Sequence, residues 1–153
     1  MTFSAVKIYA DNGNWRALFR ACWPAYKQWY QSRKQGSINA CELAVAVKAL
    51  KSTMPELMPI YDQLCEFAND DPAAMQFLTL YQPPAYLINC SQAVFFDEQP
   101  MLIRNYDLSP ELSENTIVFI HWQDMQVITT NECLWGADDG MNDAGLAISL
   151  TFG

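Results

Sequence analysis

Cys90 opens a short polar step, Cys90-Ser91-Gln92, at the end of an extended apolar run. One hairpin later the chain reaches Leu102-Ile103-Arg104-Asn105-Tyr106-Asp107. A thiol facing an arginine and an aspartate on a neighbouring strand can make and break amides. The thiolate attacks the carbonyl, and a nearby arginine favours thiolate over thiol. Small polar residues after Cys90 are unusual for a strand that serves packing alone; the plain alternative is a buried cysteine acting as a small hydrophobe. Residues three apart on a strand point to opposite faces, so Arg104 and Asp107 share a site only if the strand ends or bends near Tyr106. Leu108-Ser109-Pro110 predicts such a bend.

Only a few per cent of an ordinary thiol is thiolate at neutral pH, so a base must take the proton. The single histidine, His121, lies in a β-rich run near a hairpin, and its spacing supports no Cys/His pair. A different base needs no histidine. Cutting the Asn89–Cys90 bond gives Cys90 a free α-amine, which titrates at about 7.7–8.0 and sits on the nucleophile's own residue. The other cysteines, Cys22, Cys41, Cys65 and Cys133, make an odd total of five with no C-x-x-C spacing. That excludes a disulfide framework and a zinc site, and no metal or other cofactor is expected. No glycine-rich phosphate loop appears, and Asp138-Asp139-Gly140 and Asn142-Asp143 read as turn chemistry.

The elements that position these residues divide near Pro83-Pro84, where a helix cannot continue. Ahead of it, apolar residues recur at helical spacing. Asn14 is expected to cap a first helix carrying Trp15, Leu18, Phe19, Cys22, Tyr26 and Trp29, with Pro24 kinking or splitting it and Gly36 ending it. Asn39-x-x-Glu42 and Thr53-x-x-Glu56 have capping-box form and open a second and a third helix. Asp70 and Pro72 start a short fourth. Behind the prolines the chain reads as an antiparallel meander: Tyr86 to Phe96, Met101 to Tyr106, Thr116 to Trp122, Met125 to Thr130, a short strand at Cys133 to Gly136, and Gly145 to Phe152. The expected class is α+β, residues 1–89 helical and residues 90–153 a sheet.

Half of the 153 residues are apolar and 13% aromatic, a folded composition with enough length for one core. A formal charge of -8 lacks the basic footprint that nucleic acid or an anionic membrane requires. The N-terminus has no signal-peptide core and no apolar run is long enough for a membrane span, so a cytoplasmic protein is expected.

In order along the chain stand Trp23-Pro24-Ala25-Tyr26, Met54-Pro55-Glu56-Leu57, Leu80-Tyr81-Gln82-Pro83-Pro84-Ala85-Tyr86-Leu87, Asn89-Cys90-Ser91-Gln92-Ala93-Val94, Arg104-Asn105-Tyr106-Asp107, Cys133-Leu134-Trp135-Gly136, Asp139-Gly140-Met141-Asn142 and Gly145-Leu146-Ala147. This series resembles the N-terminal-nucleophile (Ntn) amidohydrolases of the acyl-coenzyme A:6-aminopenicillanic acid acyltransferase-like type, relatives of the choloylglycine hydrolases and penicillin V acylases. The resemblance implies that residues 1–89 are a removable leader. Residues 90–153 are then the first part of a catalytic domain built as an αββα sandwich of two antiparallel sheets, incomplete in this chain.

It further implies cleavage between Asn89 and Cys90, Cys90 as nucleophile on an acyl amide or thioester, and Arg104 and Asp107 supporting the thiol and its new amine. Asn105 falls in the R-N-x-D signature as a substrate contact. The backbone N–H of Thr151 matches an oxyanion-hole position where choloylglycine hydrolases carry Asn. Asn89 departs from the Gly common at that site. A second oxyanion donor and another Arg are expected beyond Gly153, so the chain alone is expected to be inactive, and to self-associate or pair with a C-terminal part. The reaction expected is hydrolysis of a linear amide, with acyl transfer as its variant. A non-catalytic fragment or assembly module is the alternative.

Overall fold

The computed structural model describes residues 4–7, 12–33, 40–83, 90–107, 109–122 and 124–151. The described residues are α+β: one short strand, then four α-helices, then strands that pair antiparallel with one another. Its elements are β1 (Ser4–Lys7), α1 (Asn12–Arg33), α2 (Ala40–Thr53), α3 (Met58–Phe67), α4 (Pro72–Leu78), β2 (Ser91–Phe96), β3 (Pro100–Asn105), β4 (Thr116–Trp122), β5 (Met125–Glu132), β6 (Gly136–Asn142) and β7 (Ala147–Ser149). They form two compact units, one of Trp15–Ala85 and one of Met1–Asn14 with Tyr86–Gly153. No described helix is long and apolar enough to cross a membrane.

The helical unit is held by an aromatic stripe. Trp15, Phe19, Trp23, Tyr26 and Tyr30 recur at three- and four-residue spacing on α1 and are all buried. Trp15 stacks on Phe19, and Phe19 on Trp23, with centroids 5.1 and 5.5 Å apart. Trp23, Tyr26 and Tyr30 each meet Phe77 of α4 within 5.1–5.6 Å. Such pairs add about 0.5–1.5 kcal/mol each beyond area burial. The helix runs through Pro24 unbroken. Pro24 and Arg20, the residue whose carbonyl loses its N–H partner there, are both exposed.

The helix starts differ from expectation. α1 begins at Asn12, which places Asn14 inside its first turn. Thr53 ends α2, its hydroxyl donating back to the Ala49 carbonyl at 2.8 Å. A 3-10 turn at Pro55–Leu57 then leads into α3 with no side-chain cap. Pro55 and Pro59 fit first-turn positions, so they set that entry in place of a capping box. Asp71, not Asp70, caps α4. Its carboxylate accepts from the Ala73 N–H at 2.9 Å, from Lys27 Nζ at 2.8 Å and from Trp23 Nε1 at 3.4 Å. One carboxylate thus closes the helix end and ties it to α1. The expected stop at Gly36 and cap at Asn39 lie outside the described residues.

The sheet unit has five strands in the order β1-β4-β5-β6-β7 and a separate β2–β3 hairpin. β1 runs parallel to β4 and every other pairing is antiparallel. β1 has no counterpart among the strands expected from the sequence, since four residues are too few to carry a periodic pattern. β2 starts at Ser91, and the part of the expected strand over residues 86–89 lies outside the described residues. β7 spans Ala147–Ser149 only.

Two corrections bear on the site. Residues 133–135, expected as strand, are a turn between β5 and β6, and Cys133 and Leu134 have φ of 55° and 74°. Positive φ is costly for a leucine. Leu134 is nevertheless fully buried, and its N–H donates to Glu114 Oε1 at 2.6 Å while Asn131 Nδ2 donates to Glu114 Oε2. The buried Glu114 carboxylate holds this turn. Asp138-Asp139-Gly140, expected as turn, lies inside β6.

Candidate active site

β2 and β3 pair with Gln92 opposite Arg104. Alternation places Cys90, two residues before Gln92, on the same face as Gln92 and Arg104. The contacts agree. Arg104 Nη2 donates to Cys90 Sγ at 3.2 Å. Its Nη1 donates to Asp138 Oδ2 and, at 2.9 Å, to Asp139 Oδ2. The guanidinium stands 4.4 Å above the Tyr106 ring. The Arg104 and Asp138 side chains are only 7% and 4% exposed, against 33% for Asp139.

Consecutive strand residues should face opposite ways, yet Asp138 and Asp139 both reach one arginine. A β-bulge explains it. Thr129 pairs with Gly140 and Asn131 with Ala137, so Thr130 alone opposes both aspartates. Side-chain hydroxyls fix the irregular backbone: the Asp139 N–H donates to Thr130 Oγ1 at 3.2 Å, and Thr129 Oγ1 donates to the Asp139 carbonyl at 2.6 Å. A further chain of bonds links the hairpin to β7. Gln92 Nε2 donates to Ser149 Oγ at 2.7 Å, and Ser149 Oγ donates to Asp139 Oδ1.

The electrostatics follow from this enclosure. Burial disfavours the Arg104 charge, but the bonds to Asp138, Cys90 and Asp139 outweigh it and hold the guanidinium firmly protonated. Burial first, then the charge of Asp138, pushes the Glu132 carboxyl up to about 7, against a weaker pull from the Tyr106 hydrogen bond. Burial, with the charges of Glu132 and Asp138, keeps the Tyr106 phenol protonated.

The structure therefore brings Cys90 and Arg104 together. Asp107 lies past the end of β3, exposed, its Oδ1 accepting from Asn105 Nδ2 at 3.0 Å. The carboxylates on Arg104 are Asp138 and Asp139. Thr151 is exposed and follows Leu150, whose N–H donates to the Asp138 carbonyl at 3.0 Å. His121 is exposed on β4 opposite Gln126. Asn89 lies outside the described residues. Asp138, Asp139, Ser149 and Glu132 were not legible as site residues, because a pair of acids before a glycine has the composition of a turn and a bulge leaves no pattern of its own. The polar Ser91-Gln92 step was the one visible signal, and Gln92 does join the network.

A sheet unit that presents a thiol to a buried, carboxylate-anchored arginine is an arrangement suited to acyl transfer. Residues 94–153 match the family model described as acyl-coenzyme A:6-aminopenicillanic acid acyl-transferase. Over that segment the chain is similar to this acyltransferase family. Arg104, Asp138, Asp139 and Ser149 fall within the matched residues and Cys90 lies four residues ahead of them. No curated protein and no solved structure matches the chain.

Proposed function

We propose that the chain is part of an Ntn-type cysteine amidohydrolase or acyltransferase whose nucleophile is Cys90. The observation that carries the reading is the 3.2 Å contact from Arg104 Nη2 to Cys90 Sγ, with the arginine locked by two carboxylates. A donor held in place by other bonds stabilises negative charge on sulfur without reorganising.

In this reading Cys90 Sγ first attacks the Asn89 carbonyl carbon. The peptide C–N bond breaks, its nitrogen takes a proton, and water then cleaves the Asn89 thioester, leaving a carboxylate and a free Cys90 amine. In turnover that amine takes the thiol proton as sulfur attacks the acyl carbon of an amide, and returns it to the leaving nitrogen. Water hydrolyses the resulting thioester to an acid, or an amine takes the acyl group; a thioester substrate enters through the same attack with a thiol leaving. Asp107 orients the new amine, the Thr151 N–H donates to the oxyanion, and Asn105 contacts substrate.

Intact mass and N-terminal sequencing of the purified chain test the first step. A fragment beginning at Cys90, absent in Cys90→Ala, supports it; uncleaved chain whose Cys90 is also unreactive contradicts it. A second reading, an assembly module without turnover, draws on the hairpin, where Val94, Phe95, Phe96, Met101 and Ile103 are all exposed. Light scattering that shows self-association, with Cys90 inert to acylating reagents, favours it.

A further inference from the structure

The least explained atoms near the arginine belong to an acidic cluster behind it. Asp138 Oδ1 is buried with no hydrogen-bond partner, although its other oxygen is bound to Arg104. An orphaned carboxylate oxygen in so enclosed a place costs stability unless a donor faces it. Glu132, at the end of β5, pairs with Gly136, and alternation along β6 puts Asp138, two residues on, on the same face as this second acid, where the Asp138 charge acts on it. Two carboxylates that face each other in a buried site cannot both be charged, and a proton between them converts the clash into a hydrogen bond.

We infer that Glu132 is a proton-holding positioning residue whose neutral carboxyl bridges to Asp138, keeping Arg104 aimed at Cys90, and whose ionisation weakens that support. The inference rests on the reading of Cys90 as nucleophile. The groups that face Glu132 are Asp138 on β6, and Tyr106 and Arg104 from the β3 end. Asp139 lies beyond them on Arg104, and Cys133 adjoins Tyr106. The Tyr106 phenol favours the charged form of Glu132, while burial and Asp138 favour the neutral one. The neutral form wins up to about pH 7. Above that, one more negative charge joins Asp138 and Asp139 around a single arginine, and the field at Cys90 becomes less favourable to a thiolate.

The test is the rate of Cys90 alkylation by iodoacetamide across pH, read by peptide mapping in the full chain. Glu132→Gln keeps a donor to Asp138 and cannot ionise. Its rate should equal wild type near pH 6 and exceed it about threefold near pH 8, the effect of one unit charge removed across several ångströms of protein. Tyr106→Phe keeps the ring under Arg104 and removes the hydroxyl, so the wild-type break in the profile should move to higher pH. Superimposable profiles for wild type and both variants overturn the inference, even if Cys90 proves nucleophilic.

Stability gives an independent readout. The native state holds the Glu132 proton more tightly than the ordinary value of 4.5, so stability from this group is full below that value and is lost as pH rises through about 7. Glu132→Gln should flatten that decline in urea unfolding. A flattened decline with Cys90 no more reactive than Cys41 would refute the nucleophile and leave Glu132's proton established. An unchanged decline would refute the proton.

Discussion

Asp138 and Asp139, neighbours in sequence, bind the same Nη1 of Arg104 because a β-bulge opposite Thr130 turns both carboxylates to one face. The arginine's other terminal nitrogen is thereby aimed at Cys90 Sγ. Position and charge of the donor are fixed by residues that never touch the sulfur.

Arg104→Lys tests the fork. Lysine keeps the charge, but one ammonium cannot span two aspartates and the thiol in this geometry. Cys90 alkylation near neutral pH should fall several-fold, to about a tenth of wild type, with the far-UV circular dichroism unchanged. Arg104→Ala should also cost several kcal/mol of stability, on the order of 3–5, since it leaves Asp138 buried and unpaired.

The two aspartates should not be equivalent. Asp138 is almost fully enclosed and Asp139 is one-third exposed. Asp138→Ala should lower stability by about 3 kcal/mol and Asp139→Ala by about 1 or less, measured by urea unfolding. Equal costs would contradict the assignment of Asp138 as the buried anchor.

Glu114→Gln probes the strained turn. The glutamine oxygen can still accept from the Leu134 N–H, but its NH2 group meets the Asn131 amide nitrogen, donor against donor. A loss of about 1–2 kcal/mol is expected, and a further Asn131→Asp change should restore an acceptor there and recover part of it.

In the helical unit, burial works against the Asp71 charge, but the bonds from Lys27, the Ala73 N–H and Trp23 prevail and hold the carboxyl below its usual range. Its contribution is therefore present above the unfolded value of 3.8 and is lost as pH falls through the lower folded value. Asp71→Ala should cost about 1–2 kcal/mol at neutral pH and leave unfolding of the helices less sensitive to acid.

The helices and most strands were legible because their apolar periodicity is long. The stripe from Trp15 to Tyr30 could hardly be anything else, and Thr116–Trp122 announces itself by its β-branched and aromatic run. Helix starts were less legible, since Pro55 and Asp71 outcompeted the capping patterns one or a few residues away. Of the site, Cys90 and Arg104 were readable from residue type and hairpin spacing. Their anchors were not. Asp138 and Asp139 enter through a bulge, and the turn at Cys133-Leu134 is imposed by Glu114, nearly twenty residues upstream, so no local pattern records either.

Under the proposed function the arginine contact, and not exposure, makes Cys90 the reactive thiol. Brief iodoacetamide labelling of the folded chain, followed by peptide mapping of all five cysteines, tests it most directly. Cys41 is exposed, Cys90 and Cys22 are half-buried, and Cys65 and Cys133 are buried. Accessibility alone ranks Cys41 first. Cys90 is expected to label fastest; labelling of Cys90 at or below the rate of Cys41 would contradict its role as nucleophile.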